Sequence, residues 1–239
     1  DYYRMKAVFQ GVHHGDRSIL PPKETQERQS RMAPLKQIIA GYYSEIVGIE
    51  LAAREKVLRK QGETRKKGVV PAPIARWSFD VDGKDYVGQL HVTLPKGSSI
   101  QNGRLQLSTK ASVLRSPPLL NSLREKTLEA WVSLADPSQL GVRIMSVEGP
   151  KGLILHDGIS YGDRQPRKWG SASEFNYRTY VLPTPDEEAG PGELIHVAVV
   201  YNTDNRITIY RNGLKYSSYI PDPNGTKGLL QTFKSGEST

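Results

Sequence analysis

Apolar residues recur at spacings of three and four along the first third of the chain. They are Leu35, Ile38, Ile39, Tyr42, Ile46, Ile49, Ala53 and Val57. This spacing is typical of one face of an α-helix, so we predict one long amphipathic helix within residues 23–67, with Pro34 in its first turn and Gly62 near its end. A helix of this length cannot bury its apolar stripe alone, and we expect protein material outside this chain to cover part of it.

The period of the pattern changes to two after residue 73. Residues 68–73, with two prolines in Gly-Val-Val-Pro-Ala-Pro, predict a stiff extended linker and a domain boundary. Strand-like alternations or short apolar runs follow at residues 75–79, 103–107, 128–134, 195–201 and 206–210. Turn signals separate them, and Arg211-Asn212-Gly213-Leu214 is the clearest tight hairpin. We therefore predict a mainly β protein, with an antiparallel jelly-roll sandwich over residues 74–239 preceded by the helix.

Composition narrows the classes of protein further. The chain has 239 residues, 37% of them hydrophobic and 24% charged, which is ordinary for a globular protein. No apolar run approaches the roughly 20 residues that a membrane-spanning helix needs, so we expect no membrane insertion. The absence of cysteine excludes disulfides, zinc–thiolate sites and cysteine nucleophiles in this sequence. The chain opens with neither an initiator Met nor an apolar signal segment, which indicates an excerpt from a longer precursor.

The net charge of +8 is concentrated near the N-terminus. Residues 1–70 hold 14 Lys or Arg against 8 Asp or Glu. The run Arg54, Lys56, Arg59, Lys60, Arg65, Lys66 and Lys67 could neutralise nucleic-acid phosphates. We favour a solvated helix end, because no aromatic residues interleave with these cations and cations suit the negative end of a helix dipole. Nucleic acid is therefore not an expected partner.

Four motifs in order carry a resemblance to a known fold family. They are Arg-Trp-Ser-Phe-Asp at 76–80, Leu-Glu-Ala-Trp-Val at 128–132, His-Val-Ala-Val-Val-Tyr at 196–201 and Ile-Thr-Ile-Tyr-Arg-Asn-Gly at 207–213. Residues 74–233 resemble the LamG-like, concanavalin A-like jelly roll. Jelly rolls of that family continue beyond a stretch like Leu-Gln-Thr-Phe at 230–233 into at least one further strand pair. The resemblance thus implies that another segment or module supplies the final strands.

The N-terminal residues carry a second resemblance. Asp1–Arg4 and Ala7–Arg17 look like the end of a module in large exported planctomycete proteins, where a cytochrome c-like module and this second module precede a LamG-like domain. Residues 1–22 would then close the preceding module. The resemblance implies an exported location, periplasmic or extracellular, and other modules of the same protein as partners. The family's haem-binding Cys-x-x-Cys-His is not present in this sequence, so electron transfer is not assigned to it.

The sequence shows no clear arrangement of catalytic residues. Glycoside hydrolases on this fold need closely spaced carboxylates on one strand face, whereas Glu129 and Glu148 stand alone and the Glu187–Glu188 pair lies in a loop. The adjacent His13 and His14 lack a third metal ligand, and no nucleophile elbow or phosphate-binding loop occurs. We therefore predict that this chain is not an enzyme.

An acidic loop is a candidate calcium site. Asp80, Asp82 and Asp85 place three carboxylates beside Gly83, and hard oxygen ligands are what Ca²⁺ prefers. LamG-like domains often hold a calcium ion, so the resemblance points the same way. The alternative is an acidic turn between strands, since the loop lacks a downstream bidentate Glu and includes Lys84.

A second loop has the composition of a carbohydrate site. Sugar rings present an apolar face and polar edges, which suit an exposed aromatic platform flanked by planar polar groups. The candidates within residues 161–180 are Trp169, Arg167, Lys168, Tyr161, Arg164 and Tyr177. Trp169 is the best single candidate for an exposed ring, and its neighbouring cations suit an acidic or sulfated polysaccharide better than a neutral one; the alternative, which we favour, is that Trp169 packs over a loop. Trp77 and Trp131 lie in strands with apolar neighbours and are predicted to be structural.

These patterns favour a non-catalytic module that recognises a glycan or a protein surface within a larger exported protein. One alternative is a spacer or docking scaffold that positions redox or catalytic modules. Another is one wall of an active site that absent modules complete. Exposed aromatic rings favour the first hypothesis, rings buried by another module favour the second, and carboxylates or histidines converging on a cleft favour the third.

Overall fold

The computed structural model describes residues 21–61, 72–107, 113–150, 154–180, 183–222 and 228–239. The chain divides into two compact units, Asp1–Lys56 and Val57–Thr239. The predicted module end at 1–20, the basic residues at 65–67 and most of the linker at 68–73 lie outside the described residues.

The described residues of the first unit, from 22 onward, lie in one helix, α1, at Pro22–Gln61. Its first turn includes the Thr25 amide, which donates to the Pro21 carbonyl over 3.0 Å. The helix starts earlier than Pro34, so the prediction that Pro34 lies in the first turn was wrong. A long run of helix-forming residues on both sides holds the helix through the hydrogen bond that Pro34 cannot donate. Of the predicted apolar stripe, Leu35, Ile38, Tyr42 and Ile49 are exposed.

The second unit consists of antiparallel β-structure. Its strands are β1 (Ser98–Gln101), β2 (Arg104–Leu107), β3 (Lys126–Ser133), β4 (Val142–Glu148), β5 (His156–Tyr161), β6 (Trp169–Ser173), β7 (Leu194–Tyr201), β8 (Ile207–Arg211) and β9 (Leu214–Tyr219). A short 3₁₀ turn, Glu174–Asn176, follows β6. The strand order is β3-β7-β8-β9 in the larger sheet and β4-β5-β6 in the smaller one, while β1 and β2 form a hairpin. The predicted antiparallel, mainly β fold is confirmed.

Two tight turns form at Asn-Gly pairs, and the second is the predicted hairpin at 211–214. Asn102 and Gly103 connect β1 to β2 with φ values of 53° and 67°, and Asn212 and Gly213 connect β8 to β9 with 49° and 76°. Two successive left-handed residues match the twist of a hairpin, and Asn-Gly adopts that conformation at the lowest cost.

The core lies between the two larger sheets. Leu128, Val197 and Ile209 face it from one sheet, and Ile159 and Trp169 face it from the other. Alternation along β3 directs Leu128, Ala130 and Val132 inward and the residues between them outward. Every second side chain of β3 therefore lies on the outer surface of the sandwich.

A buried ionic network connects the two sheets. Asp157 of β5 accepts a hydrogen bond from Arg178 Nε over 2.8 Å, and Lys126 Nζ of β3 lies 2.6 Å from its other oxygen. Arg178 also forms a bidentate pair with Glu174, at 2.6 and 2.7 Å. Burial lowers the pKa of Lys126, and the Asp157 carboxylate opposes that shift. Because all three central groups are buried, each depends on its partner for the solvation that water would supply.

Residues 228–239 are well packed against the β domain. Phe233 is buried and its backbone exchanges hydrogen bonds with Leu123, while Thr239 does the same with Glu148. The expectation that another segment supplies the final strands stays a prediction. Within the described ranges, no helix combines the length and the apolar character needed to cross a bilayer.

Candidate functional site

Trp169, the leading candidate for a sugar-stacking ring, is buried. Only 3% of its surface is exposed, so no exposed platform forms at this position and Trp169 packs inside the fold, as the alternative predicted. Its ring centroid lies 4.8 Å from that of Tyr161, and its Nε1 donates a hydrogen bond over 2.5 Å to Glu187 Oε2. Since a buried indole needs an acceptor for its N–H, this carboxylate makes the inward position of Trp169 favourable.

Glu187 is the centre of a buried cluster that we call the Glu187 clasp, made of Glu187, Trp169 and Arg211. Arg211 donates from both ends of its guanidinium, over 2.8 and 2.6 Å, and the Ala189 amide donates over 2.8 Å. Burial alone would raise the pKa of Glu187, but hydrogen bonds from Arg211, Trp169 and Ala189 outweigh it and lower the pKa to about 2. The clasp fixes the loop after residue 183 against the sheet.

The predicted cationic partners are also engaged inside the fold. Arg167 donates to the Glu187 carbonyl oxygen, and Lys168 donates to the Thr184 carbonyl oxygen. Lys168 Nζ also lies 2.5 Å from Asp186 Oδ1. These contacts satisfy the cations locally, so they are not arranged for an anionic ligand.

The other three predicted residues differ in exposure and in their contacts. Tyr161 is buried and its hydroxyl donates to the Pro137 carbonyl over 2.6 Å. Arg164 is exposed and lines one cleft with Lys168 and Trp169, but the volume of this cleft is only about 20 Å³, which is water-sized. Tyr177 is partly exposed, with its ring 5.4 Å from that of Phe175. The structure therefore does not bring the six residues together into one site.

Asp85 of the predicted calcium loop is a buried hub for backbone amides. Its carboxylate accepts hydrogen bonds from the amides of Arg76, Val87 and Leu90, over 2.9 to 3.0 Å. Burial alone would raise the pKa of Asp85, but the backbone amides outweigh it and lower the pKa to about 2. The carboxylate is thus occupied in holding the loop together.

The two other predicted ligands are at the surface. Asp82 accepts hydrogen bonds from the Lys84 amide over 3.0 Å and from the Tyr86 hydroxyl over 3.3 Å, and Asp80 is exposed. Among the described residues, no group of three or more His, Asp or Glu is placed so that it could hold a metal ion. Calcium binding at this loop stays a prediction.

Trp131, predicted to be structural, is instead exposed on the larger sheet. Its exposed fraction is 65%, because it occupies an outward position of β3, between the inward Ala130 and Val132. Trp77 behaves as predicted, since it packs against the core and its Nε1 donates over 2.7 Å to the Leu90 carbonyl. The signal that identifies Trp131 is strand alternation, which the apolar character of its neighbours obscured.

A polar pair flanks the exposed ring. His196 of β7 lies directly across from Trp131 in the strand register, with ring centroids 4.9 Å apart. Its Nε2 donates to Glu129 Oε1 over 2.9 Å, since a carboxylate can only accept. We call Trp131, His196 and Glu129 the Trp131 platform. Tyr210 and Lys215 extend the same face, in the row that begins with Glu129.

A groove of about 390 Å³ forms at the smaller sheet. We call it the Phe175 groove; its lining is Arg143, Glu148, Ile154, Leu155, His156, Glu174 and Phe175. Its two carboxylates do not form a free acid–base pair, because Glu174 is bound by Arg178 and Glu148 by Arg115. The groove therefore offers binding groups and not the paired carboxylates of a glycoside hydrolase.

Comparison with known protein families agrees with the fold. A laminin G-type model of the concanavalin A-like lectin/glucanases superfamily matches residues 107–234, which is more than half of the chain. No curated protein matches the chain, and no solved structure does either. The matched range includes β3 to β9 and both exposed sites on the two sheets. The chain therefore belongs to the concanavalin A-like lectin/glucanases superfamily and carries a laminin G-like domain.

Proposed function

We propose that this domain is a non-catalytic module that recognises carbohydrate through the Trp131 platform. The observation that carries the proposal is the exposure of Trp131 in the middle of a regular strand. A large aromatic surface left in water forgoes the stabilisation that burial would give, about 25 cal/mol per Å². A ligand that covers the ring recovers that free energy on binding.

The surroundings of Trp131 suit a sugar. The flat indole can stack on the apolar face of a pyranose, while Glu129 and His196 can exchange hydrogen bonds with hydroxyl groups at its edge. All three side chains project from paired strands, and the 2.9 Å contact between His196 and Glu129 restrains both polar groups. Groups held in place before binding lose little conformational entropy on binding, which favours affinity.

Laminin G-like domains are generally binding modules, and their superfamily often binds carbohydrates, which supports the same proposal. We extend the proposal to the setting of the domain. The resemblance of residues 1–17 to an exported multi-module protein supports an exported location and other modules as partners. Binding of an acidic or sulfated polysaccharide and dependence on calcium at Asp80, Asp82 and Asp85 belong to this proposal too.

The test is a binding panel with the full chain. Neutral, carboxylated and sulfated polysaccharides are assayed by isothermal titration calorimetry, with calcium and with a chelator. We expect Trp131→Ala to weaken binding of a ligand from the panel at least tenfold and Trp131→Tyr to retain part of it. Tyr42→Ala is the matched control, because Tyr42 on α1 is 63% exposed, close to the 65% of Trp131. Loss of binding with chelator would support the calcium part.

Two results would overturn the proposal. The first is a folded protein, verified by circular dichroism, that binds no member of the panel; this result favours the scaffold hypothesis. The second is binding that Trp131→Ala leaves intact, which would place recognition elsewhere on the domain.

A further inference from the structure

The backbone at the rim of the Phe175 groove is strained so that an aromatic ring faces water. Phe175 has φ 46° and Asn176 has φ 58°, both in the left-handed region that favours glycine. The Phe175 side chain is nevertheless 67% exposed. The Phe175 ring lies 5.4 Å from the Tyr177 ring but is mostly in water, so this strained position presents an apolar surface that a ligand could cover.

Buried ion pairs hold this turn in place. Glu174, immediately before Phe175, forms the bidentate pair with Arg178, and its Oε2 also accepts the His156 amide over 3.2 Å. Arg178 is in turn anchored to Asp157 in the core. The Phe175 ring is thus presented by a fixed turn, and the Arg178 guanidinium offsets the negative charge of the Glu174 carboxylate.

The opposite wall of the groove carries an excess of positive charge. Glu148 accepts from Arg115 over 2.7 Å and lies 3.6 Å from Arg143, so two guanidinium groups share one carboxylate. Arg143 also donates to His156 Nε2 over 3.0 Å, which leaves His156 Nδ1 to donate to the Ile154 carbonyl over 2.9 Å. The Arg143 side chain is 45% exposed, and its guanidinium keeps N–H groups for a ligand.

We infer that the Phe175 groove is a second binding site, and that it takes a uronic acid residue of an acidic polysaccharide. The apolar face of the sugar ring packs on Phe175, and its carboxylate accepts hydrogen bonds from Arg143, with Arg115 nearby. The planar guanidinium fork matches a carboxylate better than it matches a hydroxyl. The volume of 390 Å³ is within the usual range of ligand pockets, about 300–1,000 Å³.

The test compares one sugar chain with and without its charge. Galacturonan oligosaccharides and their methyl esters are titrated against the full chain by calorimetry at fixed ionic strength. We expect the acid form to bind at least tenfold more tightly than the ester. Arg143→Ala should remove that preference, Arg143→Lys should restore only part of it, and Phe175→Ala should weaken the binding of both forms.

The matched control is Arg206→Ala. Arg206 is 43% exposed and forms a surface pair with Asp204, so the variant removes the same charge from another surface and should keep the preference. Equal binding of polyglutamate, or of a sulfated oligosaccharide of the same length, would overturn the inference, because it would show that the groove responds to charge alone. A preference for the acid form that survives Arg143→Ala would overturn it as well.

The inference rests on the proposed function in one respect, since both sites take a sugar, and the variants separate the two. If Trp131→Ala abolishes binding of a neutral glycan while the acid preference persists, both sites exist independently. If the wild-type protein binds neutral glycan but no galacturonan, the groove inference fails and the platform stands. If galacturonan binds and only the groove variants weaken its binding, the platform proposal fails and the groove inference stands.

Discussion

Trp169 is buried and Trp131 is exposed. The sequence neighbours of each tryptophan suggest the opposite environment. Trp169 follows a polar loop with two cations, yet it is buried against Tyr161 and donates to Glu187. Trp131 lies between alanine and valine, yet it is exposed beside His196. The difference arises because side-chain direction in a strand follows alternation, and because a polar loop can fold over its own aromatic residue.

The comparison also separates two uses of polar chemistry. In the Glu187 clasp, the carboxylate and the guanidinium satisfy each other and stabilise the fold. On the Trp131 platform, the His196–Glu129 pair is restrained, and Glu129 remains open to solvent with 59% of its side chain exposed, against 17% for His196. A binding surface is thus recognised by polar groups that are held in place and still open to solvent.

Truncating each tryptophan to alanine is the most direct test of the difference between them. We expect Trp169→Ala to lower the free energy of unfolding by about 3–5 kcal/mol, because it leaves a large cavity and removes one of the hydrogen bonds to the buried Glu187 carboxylate. Trp131→Ala should change it by less than about 0.5 kcal/mol, since little of that side chain is buried. Urea unfolding followed by far-UV circular dichroism measures both values, and similar losses for the two variants would contradict the assignment.

The second prediction concerns the Glu187 clasp. Glu187→Gln should cost about 2–3 kcal/mol, because it leaves the Arg211 guanidinium without a full counter-charge and places an amide N–H₂ against other donors. Glu188→Gln is the matched control, since Glu188 is adjacent and exposed. The same urea titration should show the control unchanged. A loss in the control as large as that in Glu187→Gln would mean that the clasp is not the source of the effect.

The smallest expected effect is a dependence on pH. The pKa of Glu187 and that of Asp85 are each lowered to about 2 in the folded protein, below their unfolded values near 4. The stability that these carboxylates contribute is therefore fully present above about pH 5 and is lost as the pH falls toward 2. We expect the free energy of unfolding to drop by about 2 kcal/mol between pH 5 and pH 3, allowing for solvent screening. Glu187→Gln should show a smaller drop, and an equal one would exclude Glu187 as a source.

The sequence predicts the fold better than the site, for a physical reason. The period-two pattern and the Asn-Gly turns depend on neighbouring residues, and they predicted the sandwich and the β8–β9 hairpin correctly. The environment of Trp169 depends on Glu187, 18 residues later, and the role of Asp85 depends on amides that only the folded loop brings together. Long-range partners of this kind leave no local pattern. Trp131 is the exception, because alternation from Leu128 could have shown that it faces outward.

The pairing of residues 228–239 with the segment around residue 120 has a consequence for biosynthesis. The Ser235 amide donates to Ser122 Oγ across a separation of 113 residues, and Phe233 pairs with Leu123 in the same region. Contacts so distant in sequence close a large loop and form late in folding. A ribosome that is still translating residue 200 therefore holds a domain whose core lacks Phe233. The nascent sheets remain open to chaperones, and to one another, until residues 228–239 emerge.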